Sequence, residues 1–213
     1  MHSVLIIDDH DIVRLGLEAL LSRCPDLTLA GWADNLQSGL AQIHRQCPAL
    51  VISDMGLGDS HGLETVRALA QAQGTRRLLV VTMQDEMLYG EQALALGANG
   101  YLMKGSVQAN LVPAVLTILH GGTWTSPRLN ARMVDRYLRR NTGAKARAEE
   151  GVSSLSAREL QVLELLRSGK TTKEIADQLQ LSSRTVDIHR ANMKKKLKLR
   201  TGAELIAFAS RRA

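Results

Sequence analysis

Short apolar runs alternate with amphipathic stretches through the first 120 residues. The runs are Val4–Ile7, Leu27–Trp32, Leu50–Ile52, Leu78–Val81 and Tyr101–Met103. Each is short, rich in β-branched residues or leucine, and free of polar alternation, the pattern of a strand buried on both faces. Between them apolar positions recur at helical spacing, as in Val13, Leu17, Leu20 and Leu21, or Leu63, Val66 and Leu69. A further set, Leu111, Val115, Ile118 and Leu119, stops at Gly121-Gly122, a helix-termination signal. Strand–helix repetition of this kind predicts an α/β domain, a parallel sheet with helices on both faces. Right-handed crossovers then bring the C-terminal end of every strand to one edge, where sites form.

Beyond residue 120 the pattern changes. Leu129, Met133, Val134 and Leu138 predict a short helix within 128–138, and the polar, small and charged run Arg139–Glu150 reads as a linker. From Ser153 onward the pattern is wholly helical. Ser156 with Glu159, Thr171 with Glu174, and Thr201 with Glu204 each have the spacing of a capping box, and Ser182 supplies a fourth N-cap. These starts predict a compact all-α module of four short helices. The expected division is therefore 1–120, a partly helical connection over 121–150, and 151–213.

The chain has 213 residues, long enough to bury a core without disulfides or structural metal. Its two cysteines, Cys24 and Cys47, form no CxxC pair and read as buried thiols in a reducing compartment. The first apolar run ends in acids after four residues, so no signal peptide is expected. No run approaches the roughly 18 apolar residues of a membrane helix. The expectation is a cytoplasmic protein without a membrane partner.

The net charge of +6 conceals a reversal of sign. Residues 1–120 carry 7 basic and 12 acidic side chains, 121–150 carry 7 and 3, and 151–213 carry 13 and 6. Two domains with different partners fit this division. Charge alone leaves nucleic acid, an anionic membrane surface or an acidic protein open for the basic end. Opposite charge on two tethered domains would also favour their docking on each other.

Polar residues with chemistry fall where the predicted strands stop. Asp8 and Asp9 follow the first, Asp54 the third, Thr82 ends the fourth and Lys104 the fifth. A parallel sheet gathers all five at its carboxyl edge. Three carboxylates there repel one another unless a hard dication sits among them, and Mg²⁺ suits such a set. Lys104 and the Thr82 hydroxyl would then hold the oxygens of a transferred phosphoryl group, a reaction that needs mainly positioning and charge neutralisation.

With IIDDH at 6–10, VISDMGL at 51–57, VVTM at 80–83 and GYLMKG at 100–105, residues 1–120 resemble a response-regulator receiver domain. The resemblance implies a flavodoxin-like, five-stranded doubly wound parallel sheet of strand order 2-1-3-4-5. It implies phosphorylation of Asp54 by the phosphohistidine of a sensor histidine kinase. Asp9, Asp54 and the Gly56 carbonyl would bind Mg²⁺ directly, and Asp8 through water. Lys104 would pair with the phosphoryl group, Thr82 would rotate toward it, and Tyr101 matches the family's aromatic switch. Two positions depart from the pattern. Gly58 stands where proline is usual, which would loosen the loop Gly56–Gly62, and Met83 is bulkier than the usual small residue, which would crowd the site.

Residues Thr171–Leu197 read as helix, tight turn, helix, with Ala176 and Val186 at the crossing. The second helix would bury Val186, Met193 and Leu197, with His189 beside them. Its opposite face would carry Arg184, Asp187, Ile188, Ala191, Lys194, Lys195 and Lys198. Small and cationic residues on an outward face fit a DNA major groove flanked by phosphates. Residues 155–199 closely resemble the LuxR-type helix-turn-helix of NarL/FixJ response regulators. That resemblance implies phosphate contacts from Thr172 and Lys173 and base reading by the helix from Ser183, with a homodimer on double-stranded DNA. Asp187 replaces a frequent lysine, and either accepts from cytosine N4 or faces away.

Other readings are weaker. Gly169-Lys170-Thr171 imitates a P-loop ending, but Glu164 occupies the required upstream glycine and the stretch lies between helices. A Mg²⁺-dependent phosphohydrolase would need a second acid two residues after Asp54, where Gly56 stands. A receiver acting as a phosphorylation-independent interaction module is disfavoured by the intact Asp54, Thr82 and Lys104. The expected protein is a regulator rather than an enzyme, taking a phosphoryl group onto its own Asp54 and losing it by self-hydrolysis.

Overall fold

The computed structural model describes residues 1–74, 76–141, 154–179 and 181–210. The chain divides into two compact units, Met1–Leu138 and Arg139–Ala213. In the first, strands β1 (His2–Ile7), β2 (Leu27–Ala33) and β3 (Leu50–Ser53) precede a two-residue hairpin, β4 (Gly56–Leu57) with β5 (Ser60–His61). Strands β6 (Arg77–Thr82) and β7 (Gly100–Met103) complete the sheet. Its order is β2-β1-β3-β6-β7, parallel throughout. With the hairpin set aside this is the 2-1-3-4-5 order of the expected doubly wound fold.

Alternate residues of the strands feed two cores. Val4, Ile6, Ile52, Leu79 and Val81 pack with Leu17 and Leu21 of α1 (Asp11–Leu21) and with Leu111, Val115 and Ile118 of α5 (Val107–Leu119). Leu5, Ile7, Val51 and Val80 are equally buried, and α2 (Leu36–Gln46), α3 (Leu63–Gln73) and α4 (Glu86–Ala95) complete the layers. Gly39 lets α2 approach β1 closely, because a Cβ there would lie 2.6 Å from Ile7 Cδ1. Burying each such Leu, Ile or Val contributes about 1.5–3 kcal/mol.

Two expectations need correction, and one element goes beyond them. The run Leu27–Trp32 is not a strand buried on both faces, because β2 is the sheet edge and Trp32 is 52% exposed beneath the Arg14 guanidinium. Cys47 is not a buried thiol. It closes α2 in the left-handed conformation with φ 48°, where the chain turns outward and exposes it, whereas Cys24 is half-buried. The hairpin carries no periodic signal and was not foreseen.

The short helix expected within 128–138 is α6 (Pro127–Asn141), and its beginning packs on the first unit. Leu129 is fully buried, and Gly90 of α4 makes room for it, since a Cβ there would lie 2.5 Å from Leu129 Cδ2. The linker expected over Arg139–Glu150 lies, from residue 142, outside the described residues.

The second unit contains α7 (Ala157–Arg167), α8 (Thr172–Gln178), α9 (Ser183–Leu197) and α10 (Gly202–Ser210). Ser156 with Glu159 and Thr171 with Glu174 form reciprocal capping boxes. Thr201 accepts from the Glu204 N–H, but the Glu204 carboxylate reaches one residue further back, to the Arg200 N–H. Ser182 caps α9 by accepting from Thr185 N–H. Leu160, Leu163, Ile175, Ala176, Val186, Met193 and Leu205 form the interior.

Candidate functional site

The carboxyl edge of the sheet gathers Asp8, Asp9, Asp54, Thr82 and Lys104. β1 ends at Ile7, so the next residue leaves the sheet edge, and Asp8 is buried with an exposed Asp9 beside it. β3 ends at Ser53 and delivers Asp54, which is 8% exposed. Met55 and Gly56 donate backbone N–H groups to Asp54 Oδ1 at 2.6 and 3.2 Å. The other oxygen, Oδ2, accepts from Lys104 Nζ at 2.6 Å, and the same ammonium lies 2.7 Å from Asp8 Oδ2. Asp8 Oδ2 is buried with no aligned hydrogen bond. Burial works to lower the Lys104 pKa, but its bonds to Asp54 and Asp8 outweigh this and hold it above its usual value. Two acids and one base thus share a centre that keeps a net negative charge.

A cleft of about 470 Å³ opens over this centre, lined by Asp54, Gly56, Thr82, Met83, Lys104 and His10, among others. Thr82 is buried, and its hydroxyl accepts from the Gln84 N–H at 3.3 Å. Tyr101 is buried too, its hydroxyl donating to the Gln84 carbonyl at 2.9 Å. Thr82 and Tyr101 therefore hold the two backbone polar groups of the same residue, its N–H and its carbonyl. Met83 does not fill the cleft; it is 71% exposed at the rim.

His10 is a member that sequence reasoning missed. Its backbone N–H donates to Asp8 Oδ1 at 2.9 Å, and its Nδ1 lies 2.7 Å from Asp9 Oδ1. Its only sequence signal is its place directly after the acid pair. One donor atom from each of Asp8, Asp9, His10 and Asp54 falls within 4.8 Å of the others. Such a set, mostly hard carboxylate oxygen with one buried oxygen lacking an aligned hydrogen bond, fits a small divalent cation.

The loop after Asp54 is anchored, contrary to the loosening expected from Gly58. Asp59 reaches α2 and accepts from the Leu36 and Gln37 N–H groups at 2.8 and 3.0 Å, while Asn35 accepts from Ser38 N–H. These bonds satisfy three of the four unpaired donors at that helix start. The contact spans residues far apart in sequence, so no local pattern announces it.

In the second unit α9 exposes Ser183, Arg184, Asp187, Ile188, Ala191 and Lys195, with Lys194 half-buried. Lys173 is exposed on α8, whereas Thr172 is half-buried and its hydroxyl accepts from the Arg190 guanidinium. Lys196, next to the exposed lysine, turns inward to Glu159 Oε2 at 2.6 Å. Burial works to raise the Glu159 pKa, but the Lys196 bond and the Ser156 N–H outweigh it and hold the carboxyl below its usual range.

Comparison with known proteins matches both units. The receiver domain profile of response regulators covers residues 4–116, and that of bacterial regulatory proteins of the luxR family covers 153–209. The transcriptional regulatory protein MctR of Rhizobium johnstonii is 33% identical over 207 residues, covering 97% of this chain and 92% of that one. The nitrate/nitrite response regulator NarL of Escherichia coli is 32% identical over 202 residues, with 95% and 92% covered. In fold, the RcsB response regulator of Salmonella typhimurium is similar at a TM-score of 0.69 and 20% identity, over 99% of this chain and 97% of that one. An acid–lysine centre at the carboxyl edge of a 2-1-3-4-5 sheet, followed by a capped helix-turn-helix, makes this chain a two-component response regulator of the NarL/FixJ type, with a receiver domain and a LuxR-type DNA-binding domain.

Proposed function

We propose that Asp54 is the phosphoacceptor, and that its phosphorylation by a sensor histidine kinase switches sequence-specific binding of double-stranded DNA. The observation that carries this is the convergence of Asp54, Asp8 and Lys104 beneath an open cleft whose wall includes Thr82. A carboxylate oxygen of Asp54 attacks the phosphohistidine phosphorus as the P–N bond breaks, and the electron pair leaves with the imidazole. Lys104, already bonded to Asp54 Oδ2, stands where the new phosphoryl oxygens arrive. The Met55 and Gly56 N–H groups hold the other carboxylate oxygen. Asp8, Asp9, Asp54 and the Gly56 carbonyl would hold Mg²⁺, which neutralises charge on the phosphoryl group when bound. Slow self-hydrolysis returns the carboxylate.

Charge near −2 on Asp54 draws the Thr82 hydroxyl away from Gln84 and changes what Tyr101 grips. In this reading 1–120 senses, 121–150 connects and 151–213 binds DNA, and the readout is a change in docking or in dimerisation. Arg184, Asp187, Ile188 and Ala191 would face base edges from the helix that begins at Ser183. Thr172, Lys173, Lys194 and Lys195 would serve phosphates, Thr172 only by sharing its hydroxyl with Arg190. A homodimer on repeated half-sites follows from helix-turn-helix geometry, and DNA as the partner makes the cytoplasm its place of action.

The test is phosphoryl incorporation from acetyl phosphate with Mg²⁺, followed by selection of bound sequences from a random duplex pool. Wild type should gain one phosphoryl group and change its affinity for the selected DNA. Asp54→Asn should do neither. Equal incorporation in the variant would overturn the assignment.

A further inference from the structure

The contacts between α4 and α6 extend the switch beyond the cleft. Residues 124–136 are bonded along the face formed by β7 and α4. The Tyr101 N–H donates to the Trp124 carbonyl at 2.9 Å, and the Trp124 N–H donates to Asn99 at 3.0 Å. Ser126 caps α6 by accepting from Leu129 N–H at 3.0 Å and donates its own hydroxyl proton to Glu86 Oε1 at 2.8 Å. One turn on, Arg132 donates to the Met87 carbonyl at 2.7 Å and lies 3.2 Å from Glu91 Oε1. Arg136 takes the second Glu91 oxygen. Glu91 and Arg132 are only 16% and 13% exposed, so solvent screens this pair weakly.

We infer that Glu91, with Arg132 and Arg136, forms a clamp that holds α6 on α4 in the unphosphorylated protein and lets go when Asp54 is phosphorylated. This rests on the phosphoacceptor reading above. The cleft and α6 are attached to the same short stretch of chain. Thr82 and Tyr101 both grip Gln84, and α4 starts two residues later, capped by Asp85. Every bond from α6 to α4 described above lands on Glu86, Met87 or Glu91, within the first two turns of that helix. Tyr101 also carries the Trp124 carbonyl on its own N–H, so it touches both the start of α4 and the approach to α6. Once Thr82 turns toward a phosphoryl oxygen, the approach to α4 loses the Thr82 bond at Gln84. The Glu91 carboxylate is shared by two guanidiniums, Arg136 bonded to Oε2 and Arg132 lying 3.2 Å from Oε1 without an aligned hydrogen bond, so a small displacement of α4 weakens both attractions together. Leu129 in its slot against Gly90 adds an apolar contact with no directional hold, which does not fix the angle of α6 on α4.

The experiment is hydrogen exchange of the full chain over residues 127–138, with Mg²⁺ alone and with Mg²⁺ and acetyl phosphate, while intact mass records phosphoryl incorporation. Wild type should exchange about tenfold faster there once phosphorylated, within the usual range of coupling between sites. Glu91→Gln should reach that rate without the donor and gain little from it. Glu91→Asp, which keeps the carboxylate and leaves both arginines in place, should exchange more slowly than Glu91→Gln in the absence of donor. Glu18→Gln, an equal charge change on α1, should behave as wild type. If wild type incorporates phosphoryl and exchange over 127–138 stays constant, the clamp is not part of the switch although the phosphoacceptor reading stands. If wild type incorporates none, that reading fails first, and the Glu91→Gln and Glu91→Asp rates still decide whether the clamp holds α6.

Discussion

The Lys104 ammonium donates to Asp54 Oδ2 at 2.6 Å while lying 2.7 Å from Asp8 Oδ2, so one cation compensates two nearly buried carboxylates. Lys104→Met removes that compensation and leaves the acids facing each other. Unfolding by urea should show a loss of about 1–3 kcal/mol, the cost of an unpaired buried polar group. Millimolar Mg²⁺ should restore more stability to the variant than to wild type, since the metal then supplies the missing charge. The pH dependence has a defined sign. The Lys104 pKa is raised, so its contribution is complete below 10.5 and is lost as pH rises through the higher folded value. The gap between wild type and variant should be constant at neutral pH and narrow only in strong alkali.

Asp59 offers a test of the loop after Asp54. Asp59→Ala frees the Leu36 and Gln37 N–H groups at the start of α2, a loss of about 0.5–2 kcal/mol by analogy with other helix caps. Hydrogen exchange should quicken at 36–37 and across Gly56–Gly62, with Ser38 still protected by Asn35. Unchanged exchange in the loop would mean that the β4–β5 hairpin alone holds it.

Such contacts mark where sequence reasoning stopped. The strand cores Leu50–Ile52 and Leu78–Val81 were legible because burial on both faces demands uninterrupted apolar residues. The acids and lysine at their ends were legible because a parallel sheet fixes which edge they share. Asp59 capping α2, His10 turning to Asp9, and Arg132 reaching Glu91 were not. Each depends on a distance set by tertiary packing or by one rotamer, and none leaves a period in the sequence. Trp32 and Cys47 were misread for a related reason, since apolar character does not reveal that a strand lies at an edge or that a helix end faces solvent.

Glu159 couples the cap of α7 to the basic helix α9. Its carboxylate accepts from Ser156 N–H and Lys196 at 2.6 Å each. Glu159→Gln should lower protection of the Leu160–Leu166 amides by about 1–3 kcal/mol at neutral pH. A carboxyl with lowered pKa contributes stability above its ordinary 4.5 and loses it as pH falls through the folded value. The difference between wild type and variant should therefore shrink below pH 4.5 and be flat from 6 to 8.

Adjacent lysines on α9 should separate DNA contact from folding. Lys195 is exposed, whereas Lys196 is bound to Glu159. Each phosphate contact contributes roughly 0.9 to the slope of log affinity against log salt, through counterion release. Lys195→Ala should reduce that slope by about one on any duplex the protein binds, leaving thermal unfolding unchanged within about 0.5 kcal/mol. Lys196→Ala should leave the slope intact and instead destabilise the helical unit, because it strands a carboxylate that is 3% exposed. If the two variants exchanged these phenotypes, the inward turn of Lys196 would be wrong and the outward face of α9 would have to be redrawn around it.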